Sequence, residues 1–313
     1  MALEPTARLS FRQRPQGGEV KPEPSEPEYR QLTGRRHLLL LIHGYNNDLK
    51  ASEDAYRGFE ALQRELARLD DDTPVASGRL VQIYWPGDAD WGIVSPLFYP
   101  WSIGRARQTA AALADTLARA ARESGHKQVD IIAHSMGCRL TLELLKALRG
   151  KGDISVGRVV LMAGAVPTFM LEPRPDRQKL RNAFDSVLAE AGLSLYSSSD
   201  KVLAYAFPLG QTAAPGREGF FPTALGHEFW ADAEAPVKLA QQEDPGADHS
   251  DYWGWNQKPQ ALACARAANA RVKVFLRFEQ AGERECAERE TSERTTLDAR
   301  ATGTARTVVG RTT

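Results

Sequence analysis

Apolar and polar residues follow two different periods along this chain. Short, nearly continuous apolar runs are typical of strands buried on both faces of a parallel sheet, and here they alternate with segments in which apolar residues recur at helical spacing. The apolar runs cover 36–42, 80–85, 129–133, 159–163 and 193–196, and a weaker run covers 237–240. The alternation predicts an α/β protein with a mostly parallel sheet and helices on both faces.

The helices are predicted from their apolar faces. These faces are marked by Ala55, Phe59, Leu62, Leu66 and Leu69, by Ala106, Ala110, Leu113, Leu117 and Ala121, by Leu140, Leu144 and Leu148, and by Leu180, Phe184, Val187 and Leu188. We expect the first helix to begin near Ser52 and the fourth to end at Gly192, because serine and glycine are frequent at helix starts and ends. A last helix is expected over 261–270, leading into 272–278.

The two ends of the chain differ in composition from its middle. Residues 1–30 combine charges with several prolines and a glycine pair, and residues from about 280 onward are threonine, arginine and glutamate with almost no apolar side chains. Such segments bury too little apolar surface to offset the loss of conformational entropy. We therefore expect a disordered leader over 1–35, a folded domain over 36–279 and a disordered charged tail over 280–313.

Charge and cysteine content narrow the class of protein. The 313 residues contain 40 Lys and Arg against 40 Asp and Glu, so the balance gives no reason to expect a nucleic-acid partner. No apolar run approaches the length of a membrane span. Cys138, Cys264 and Cys286 are scattered, which fits neither a disulfide framework nor a metal cluster. Together with the lack of an apolar signal region in residues 1–29, this predicts a cytoplasmic protein without a metal site.

The run over 129–133 leads into the most informative motif of the chain. The segment continues as Ala133-His134-Ser135-Met136-Gly137 and then into a helical pattern. A serine at a sharp strand-to-helix turn is the arrangement of a nucleophile elbow, which requires small residues two positions before and after the serine. Ala133 and Gly137 meet that requirement, although glycine is usual at both positions. The alternative interpretation is that Ser135 only caps the helix.

A serine hydroxyl needs a general base, and the base needs an orienting carboxylate. In elbow folds the chain order is serine, acid, histidine. Asp200 follows the run over 193–196 and is the candidate acid, although it could instead cap a helix that follows it. Two histidines come after Ser135, and we favour His249 as the base because its polar loop follows the last candidate strand, whereas His227 precedes that strand.

Acyl transfer also requires donors for the oxyanion. The elbow supplies the backbone N–H of Met136, and the loop after the first strand supplies a second donor, for which the N–H of Tyr45 is the candidate. Gly44 would allow the backbone to approach, and His43 is expected to bond nearby loop backbone. We do not assign the base role to His134, because a residue beside the nucleophile points off the elbow.

These motifs together resemble the α/β-hydrolase superfamily. The resemblance covers about 36–278 and is closest to a bacterial esterase/lipase-like branch of poorly defined function; it rests on His43-Gly44-Tyr45-Asn46-Asn47, Tyr84-Trp85-Pro86, the elbow, Ser199-Asp200 and His249-Ser250-Asp251-Tyr252. It implies hydrolysis of a carboxylic ester or thioester through an acyl-enzyme, without a cofactor. One departure is Gly164-Ala165, where that branch often has an aspartate, and this affects the expected pocket wall rather than the triad.

An apolar loop over 91–101 bears on the substrate. Its large side chains, above all Trp91, Leu97, Phe98 and Trp101, could form a lid or acyl-binding wall, contact a membrane surface, or simply pack on the sheet. The expected substrate is a small-molecule ester or a lipid. Acyl transfer by the same residues and a non-catalytic binding module are the alternative functions, and the sequence does not indicate the oligomeric state.

Overall fold

The computed structural model describes residues 6–75, 78–88, 99–173, 180–212, 220–229 and 235–276. Its strands form one seven-stranded sheet in the order β1-β3-β2-β4-β5-β6-β7, and every neighbouring pair is parallel. The strands are β1 (Ala7–Ser10), β2 (His37–Ile42), β3 (Leu80–Tyr84), β4 (Lys127–His134), β5 (Ile154–Met162), β6 (Leu188–Tyr196) and β7 (Leu239–Glu243). The predicted α/β class with a parallel sheet is confirmed.

Helices connect these strands and cover both faces of the sheet. They are α1 (Glu26–Arg30), α2 (Leu49–Leu69), α3 (Tyr99–Ser124), α4 (Met136–Leu148), α5 (Arg181–Val187), α6 (Phe207–Thr212), which a π-helical turn over Val202–Ala206 precedes, and α7 (259–276). A short 3₁₀ turn covers Thr168–Met170. The chain divides into a compact unit over Met1–Val272 and a second unit that begins at Lys273.

The centre of the sheet is buried on both faces. In β2, residues 38–42 are at most 1% exposed, and the apolar residues of β4 and of the second half of β5 are fully buried. Strands covered on both faces must be apolar at consecutive positions, which explains the continuous runs in the sequence. Each such leucine or isoleucine contributes about 1.5–3 kcal/mol by leaving water. The carboxyl ends of these central strands carry the candidate site.

The leader is the main correction to the predicted domain boundaries. Instead of being disordered, its residues 7–10 form β1, which pairs with β3 from Ala7 opposite Val81 to Ser10 opposite Tyr84. Ala7, Leu9 and Phe11 are fully buried. Their period of two is a strand signal, but it is short and lies among prolines and charges, so composition alone concealed it. The predicted tail over 280–313 lies outside the described residues.

A buried ion pair fastens the leader to the carboxyl edge of the sheet. The Arg12 guanidinium is bonded to the Asp88 carboxylate, and it also donates to the carbonyl oxygens of Trp85 (2.7 Å) and Asn47 (3.1 Å). The other oxygen of Asp88 accepts from the N–H of Gly17 at 2.8 Å. Arg12 therefore joins the leader to the loops that follow β2 and β3.

We expect Arg12→Met to destabilise the protein strongly. Removing the guanidinium leaves the Asp88 carboxylate buried without its ion-pair partner, a loss that typically costs about 3–5 kcal/mol. Urea unfolding followed by circular dichroism measures the loss. Arg14→Met is the matched control, because the Arg14 side chain is exposed. Equal stability of the two variants would contradict this account of the leader.

Several predicted helix boundaries are wrong by a few residues. The first long helix, α2, begins at Leu49 rather than near Ser52, because the Asp48 side chain caps it and accepts from the N–H of Ala51 at 2.8 Å. The loop predicted over 91–101 ends earlier, since α3 begins at Tyr99. Residues 91–98, including three of the four predicted pocket residues, lie outside the described part.

The region around β6 also differs from the prediction. Helix α5 ends at Val187, and Gly192, expected to end it, lies within β6, where it pairs with Val159 and Leu239. A Cβ at Gly192 would lie 2.5 Å from the Phe184 ring, so this glycine serves packing rather than helix termination. The last strand, predicted over 237–240, is Leu239–Glu243. The last helix, predicted over 261–270, is longer than expected, because α7 covers 259–276.

Candidate active site

Ser135 occupies a strained turn between β4 and α4. Its backbone angles are φ 54° and ψ −122°, in a region that residues other than glycine rarely adopt. Strain of this kind costs on the order of 1–3 kcal/mol and persists only where the surroundings impose it. Two backbone bonds do so here: the Ser135 N–H donates to Met162 (2.9 Å), and the Ser135 carbonyl accepts from Ala165 (3.1 Å). The carboxyl end of β5 thus holds the turn in place.

The small residues around the turn are required by close backbone contacts. A Cβ at Gly137 would lie 2.6 Å from the carbonyl oxygens of both Ile42 and His43. A Cβ at Gly44 would lie 2.8 Å from Cβ of Ser135. The loop that follows β2 therefore passes directly beside the serine and the start of α4, as the elbow prediction requires.

The structure brings Ser135, His249 and Asp200 together in one hydrogen-bonded series. His249 Nε2 lies 2.8 Å from Ser135 Oγ, and His249 Nδ1 lies 2.7 Å from Asp200 Oδ2. Asp200 is fully buried, Ser135 is 5% exposed, and the His249 side chain is 17% exposed. Because a carboxylate can only accept, Nδ1 carries the ring hydrogen and Nε2 presents a lone pair to the serine hydroxyl. This is the arrangement of a nucleophile, a base and an orienting acid.

The Asp200 carboxylate makes one contact that each of its two sequence interpretations requires. Its Oδ2 accepts from His249, while its Oδ1 accepts from the N–H of Leu203 at 2.9 Å, as a helix cap would. The loop that carries Asp200 is also joined to the loop that carries His249, since Ser197 Oγ donates to the carbonyl of Ala247 at 2.7 Å. Asp200 is therefore hydrogen-bonded through both of its carboxylate oxygens.

His227 lies elsewhere at the same edge of the sheet. The segment before it is bound along the end of β5, where the N–H of Gly226 donates to Gly164 at 3.0 Å. Nε2 of His227 lies 3.8 Å from the Glu228 carboxylate, whereas it is the ring of His249 that contacts Ser135. Gly226 has no room for a side chain, since a Cβ there would lie 2.1 Å from the backbone N of Gly164. The backbones of Gly226 and Gly164 are therefore packed directly against each other.

The candidate oxyanion loop is oriented by His43. The Trp85 N–H donates to His43 Nε2 (3.3 Å), so the ring hydrogen is on Nδ1, which donates to the carbonyl of Gly44 (2.9 Å). Burial lowers the pKa of His43 to about 3, so the ring is neutral at ordinary pH. In a trans peptide the N–H points opposite to the carbonyl. The N–H of Tyr45 is therefore directed away from the His43 ring.

Met136, the other candidate donor, is the first residue of α4. It is fully buried, and the first N–H groups of a helix have no acceptor within that helix. These groups also lie at the positive end of the helix dipole, which favours a negative charge. The two candidate donors thus come from the two segments that meet at Gly137.

His134 makes a contact that was not predicted from the sequence. Its Nε2 lies 2.7 Å from the carbonyl oxygen of His249, in the loop that carries the base. The sequence shows only that a histidine precedes the serine; the loop it contacts is 115 residues away along the chain.

The side chains of the predicted pocket residues are not among those that the structure describes. Trp91, Leu97 and Phe98 lie outside the described residues, and Trp101 is described only as part of the backbone of α3. Within the described residues, no helix combines the length and apolar character needed to cross a bilayer. In the same ranges, His, Cys, Asp and Glu side chains do not group as a set of metal ligands.

Two of the solved structures that are similar to this chain have low sequence identities and low TM-scores. An esterase from Pyrobaculum calidifontis is 11% identical, with 79% of this chain and 78% of that chain covered and a TM-score of 0.41. A putative hydrolase from Agrobacterium vitis is 16% identical, with 74% and 86% covered and a TM-score of 0.39. Sequence identities and TM-scores this low give no basis for assigning the activity of either protein to this chain. No curated protein matched the sequence.

A family model gives the clearest assignment. The model described as "Alpha/beta hydrolase of unknown function (DUF900)" matches residues 29–212. That range is more than half of the chain and contains the elbow, the candidate oxyanion loop and Asp200, while His249 follows it. The parallel sheet and the strained serine between β4 and α4 agree with this match. The chain therefore belongs to the family of alpha/beta hydrolases of unknown function.

Proposed function

We propose that this protein is a serine hydrolase that cleaves a carboxylic ester or thioester through an acyl-enzyme on Ser135. The observation that carries the proposal is the continuous series from Asp200 through His249 to Ser135 Oγ, with separations of 2.7 and 2.8 Å. Nucleophile and base stand within hydrogen-bond reach, and a third group orients the base, which is the geometry that activates a serine hydroxyl.

In the proposed acylation, Ser135 Oγ attacks the substrate carbonyl while its proton passes to His249 Nε2. Asp200 keeps the ring hydrogen on Nδ1 and stabilises the imidazolium that forms. The negative charge on the former carbonyl oxygen is received by the N–H groups of Tyr45 and Met136. Losing one such donor typically lowers the rate by about 10²–10³.

The intermediate then collapses. His249 Nε2–H delivers its proton to the leaving alkoxide or thiolate, and Ser135 remains esterified. A water molecule attacks the acyl-enzyme with His249 again acting as the base, so that the carboxylic acid is released and the serine hydroxyl is restored. The chemistry needs no electron transfer, and the residues named supply every proton movement.

The strained serine argues for catalysis over a purely binding role. A serine at positive φ carries a free-energy cost that a binding module has no reason to retain. Acyl transfer to an alcohol would use the same residues, so the acceptor must be tested by product analysis. We expect the substrate to be a small-molecule ester or a lipid.

A fluorophosphonate probe tests the proposal, because an activated serine displaces fluoride and forms a stable phosphonyl ester. We expect the wild-type protein to be labelled and Ser135→Ala to remain unlabelled. The control is Ser186→Ala, an exposed serine whose hydroxyl bonds the carbonyl of Asn182 in its own helix; it should label like the wild type. Gel fluorescence and intact mass spectrometry measure the adduct.

Two results would overturn the proposal or its site. A folded wild-type protein that resists labelling would mean that Ser135 is not activated. Labelling that persists in Ser135→Ala would place the nucleophile on another residue. With labelling established, a panel of esters and thioesters, with and without an added alcohol, separates hydrolysis from acyl transfer.

A further inference from the structure

We propose that His134 is a positioning residue for the general base, an inference that rests on the proposed function. The carrying observation is the hydrogen bond between His134 Nε2 and the backbone carbonyl of His249, at 2.7 Å. His134 is the last residue of β4 and directly precedes Ser135 in the chain. One rigid strand end therefore carries the nucleophile and also holds the backbone of the base.

The rings around His134 restrict its movement. Its centroid lies 5.0 Å from that of His249, 5.6 Å from Trp253 and 6.0 Å from Tyr252. On another side, Nδ1 approaches the oxyanion loop so closely that a Cβ at Gly44 would lie 3.0 Å from it. His134 thus lies between the loop of the base and the loop of the candidate oxyanion donor, and it contacts both.

The tautomer of His134 follows from its partner. A carbonyl oxygen only accepts, so Nε2 carries the ring hydrogen. Burial, with a smaller effect from the nearby His249, lowers the pKa of His134 to about 3, and the ring is therefore neutral at ordinary pH. A neutral donor suits this position, because a second positive charge would oppose the imidazolium that forms on His249 during acylation.

The bond from His134 complements a second bond on the same loop. Ser197 holds the carbonyl of Ala247 from the acid's side, while His134 holds the carbonyl of His249 from the nucleophile's side. The backbone of the base is thus bound by both segments that carry its catalytic partners. Placing reacting groups within tenths of an ångström matters, since a displacement of about 1 Å can lower a rate by about 10².

Two substitutions separate donation from packing. His134→Leu keeps an apolar side chain of similar bulk but has no donor. His134→Gln has an amide nitrogen at about the reach of Nε2, so it can bond the same carbonyl. We expect the leucine variant to lose about 10- to 100-fold in kcat with little change in KM, and the glutamine variant to recover most of that loss.

The measurements are the second-order rate of fluorophosphonate labelling and the steady-state constants on an ester that the wild type cleaves. A third readout is the low-field proton resonance of His249 Nδ1–H, which reports its bond to Asp200. We expect this resonance to broaden or shift in the leucine variant and to return in the glutamine variant. Thermal unfolding checks that each variant is folded; if the leucine variant is not, His134→Asn, whose amide is one methylene too short, replaces it.

The inference fails if His134→Leu keeps the wild-type labelling rate and the wild-type Nδ1–H resonance. It also fails if His134→Leu and His134→Gln impair the labelling rate and the resonance to the same extent. Failure of the proposed function is a separate result, since it appears as an unlabelled wild-type protein. Even then, the Nδ1 resonance compared between the leucine and glutamine variants shows whether His134 positions the His249 ring.

Discussion

His249→Ala is expected to lower kcat by about 10⁵–10⁶, while His227→Ala should remain close to the wild-type rate. Without the imidazole at 2.8 Å from Ser135 Oγ, the hydroxyl keeps its proton and is a poor nucleophile. The residual activity would come from substrate binding and the oxyanion donors alone. The comparison is sharp because these two histidines are the only ones that follow Ser135 in the chain.

Initial rates on an activated ester, together with the labelling rate, measure this difference. His227 is a suitable control because it lies at the same edge of the sheet and faces Glu228. Circular dichroism should show both variants folded. A large loss of activity in His227→Ala with an active His249→Ala would reverse the assignment of the base, whereas equal retention of activity would remove the need for either histidine.

Asp200→Asn is expected to lower kcat by about 10⁴ without unfolding the protein. The amide still offers an oxygen to the Leu203 N–H, so the cap at the helix start is retained. What is lost is the negative charge and the strict acceptor that keep the hydrogen of His249 on Nδ1. With the other tautomer, Nε2 carries a hydrogen and cannot accept the serine proton.

The matched control is Asp248→Asn. Asp248 precedes His249 in sequence, and its Oδ1 accepts from the backbone N–H of His249 at 2.8 Å, a bond that an asparagine oxygen can also accept. We expect near wild-type turnover from this variant and unchanged thermal unfolding from both. If the two variants lost activity equally, the effect would reflect disturbance of the 248–249 loop and not the loss of an orienting carboxylate.

The central sheet could be predicted because its signals are local. Residues 38–42 are apolar at every position, and burial on both faces demands this whatever the neighbours are. The edge strand β1 could not be predicted from the sequence, because an edge strand of four residues depends on its partner β3, which lies about seventy residues away along the chain. Two predicted helix boundaries were wrong for related reasons. The start of α2 depends on the side-chain cap by Asp48, and Gly192 lies within β6 because it packs against the Phe184 ring.

For the candidate site, the sequence by itself determined the residue types and their order: a serine at a tight turn, then an acid and a histidine after later strands. It could do so because parallel strands deliver their carboxyl ends to one edge, so residues after strands become neighbours. Only the tertiary structure decided which histidine contacts Ser135, that Asp200 both caps a helix and bonds the His249 ring, and that His134 bonds the backbone carbonyl of His249. The bonds of His249 to Asp200 and to His134 join residues 49 and 115 positions apart, and their geometry depends on distances that no local pattern encodes.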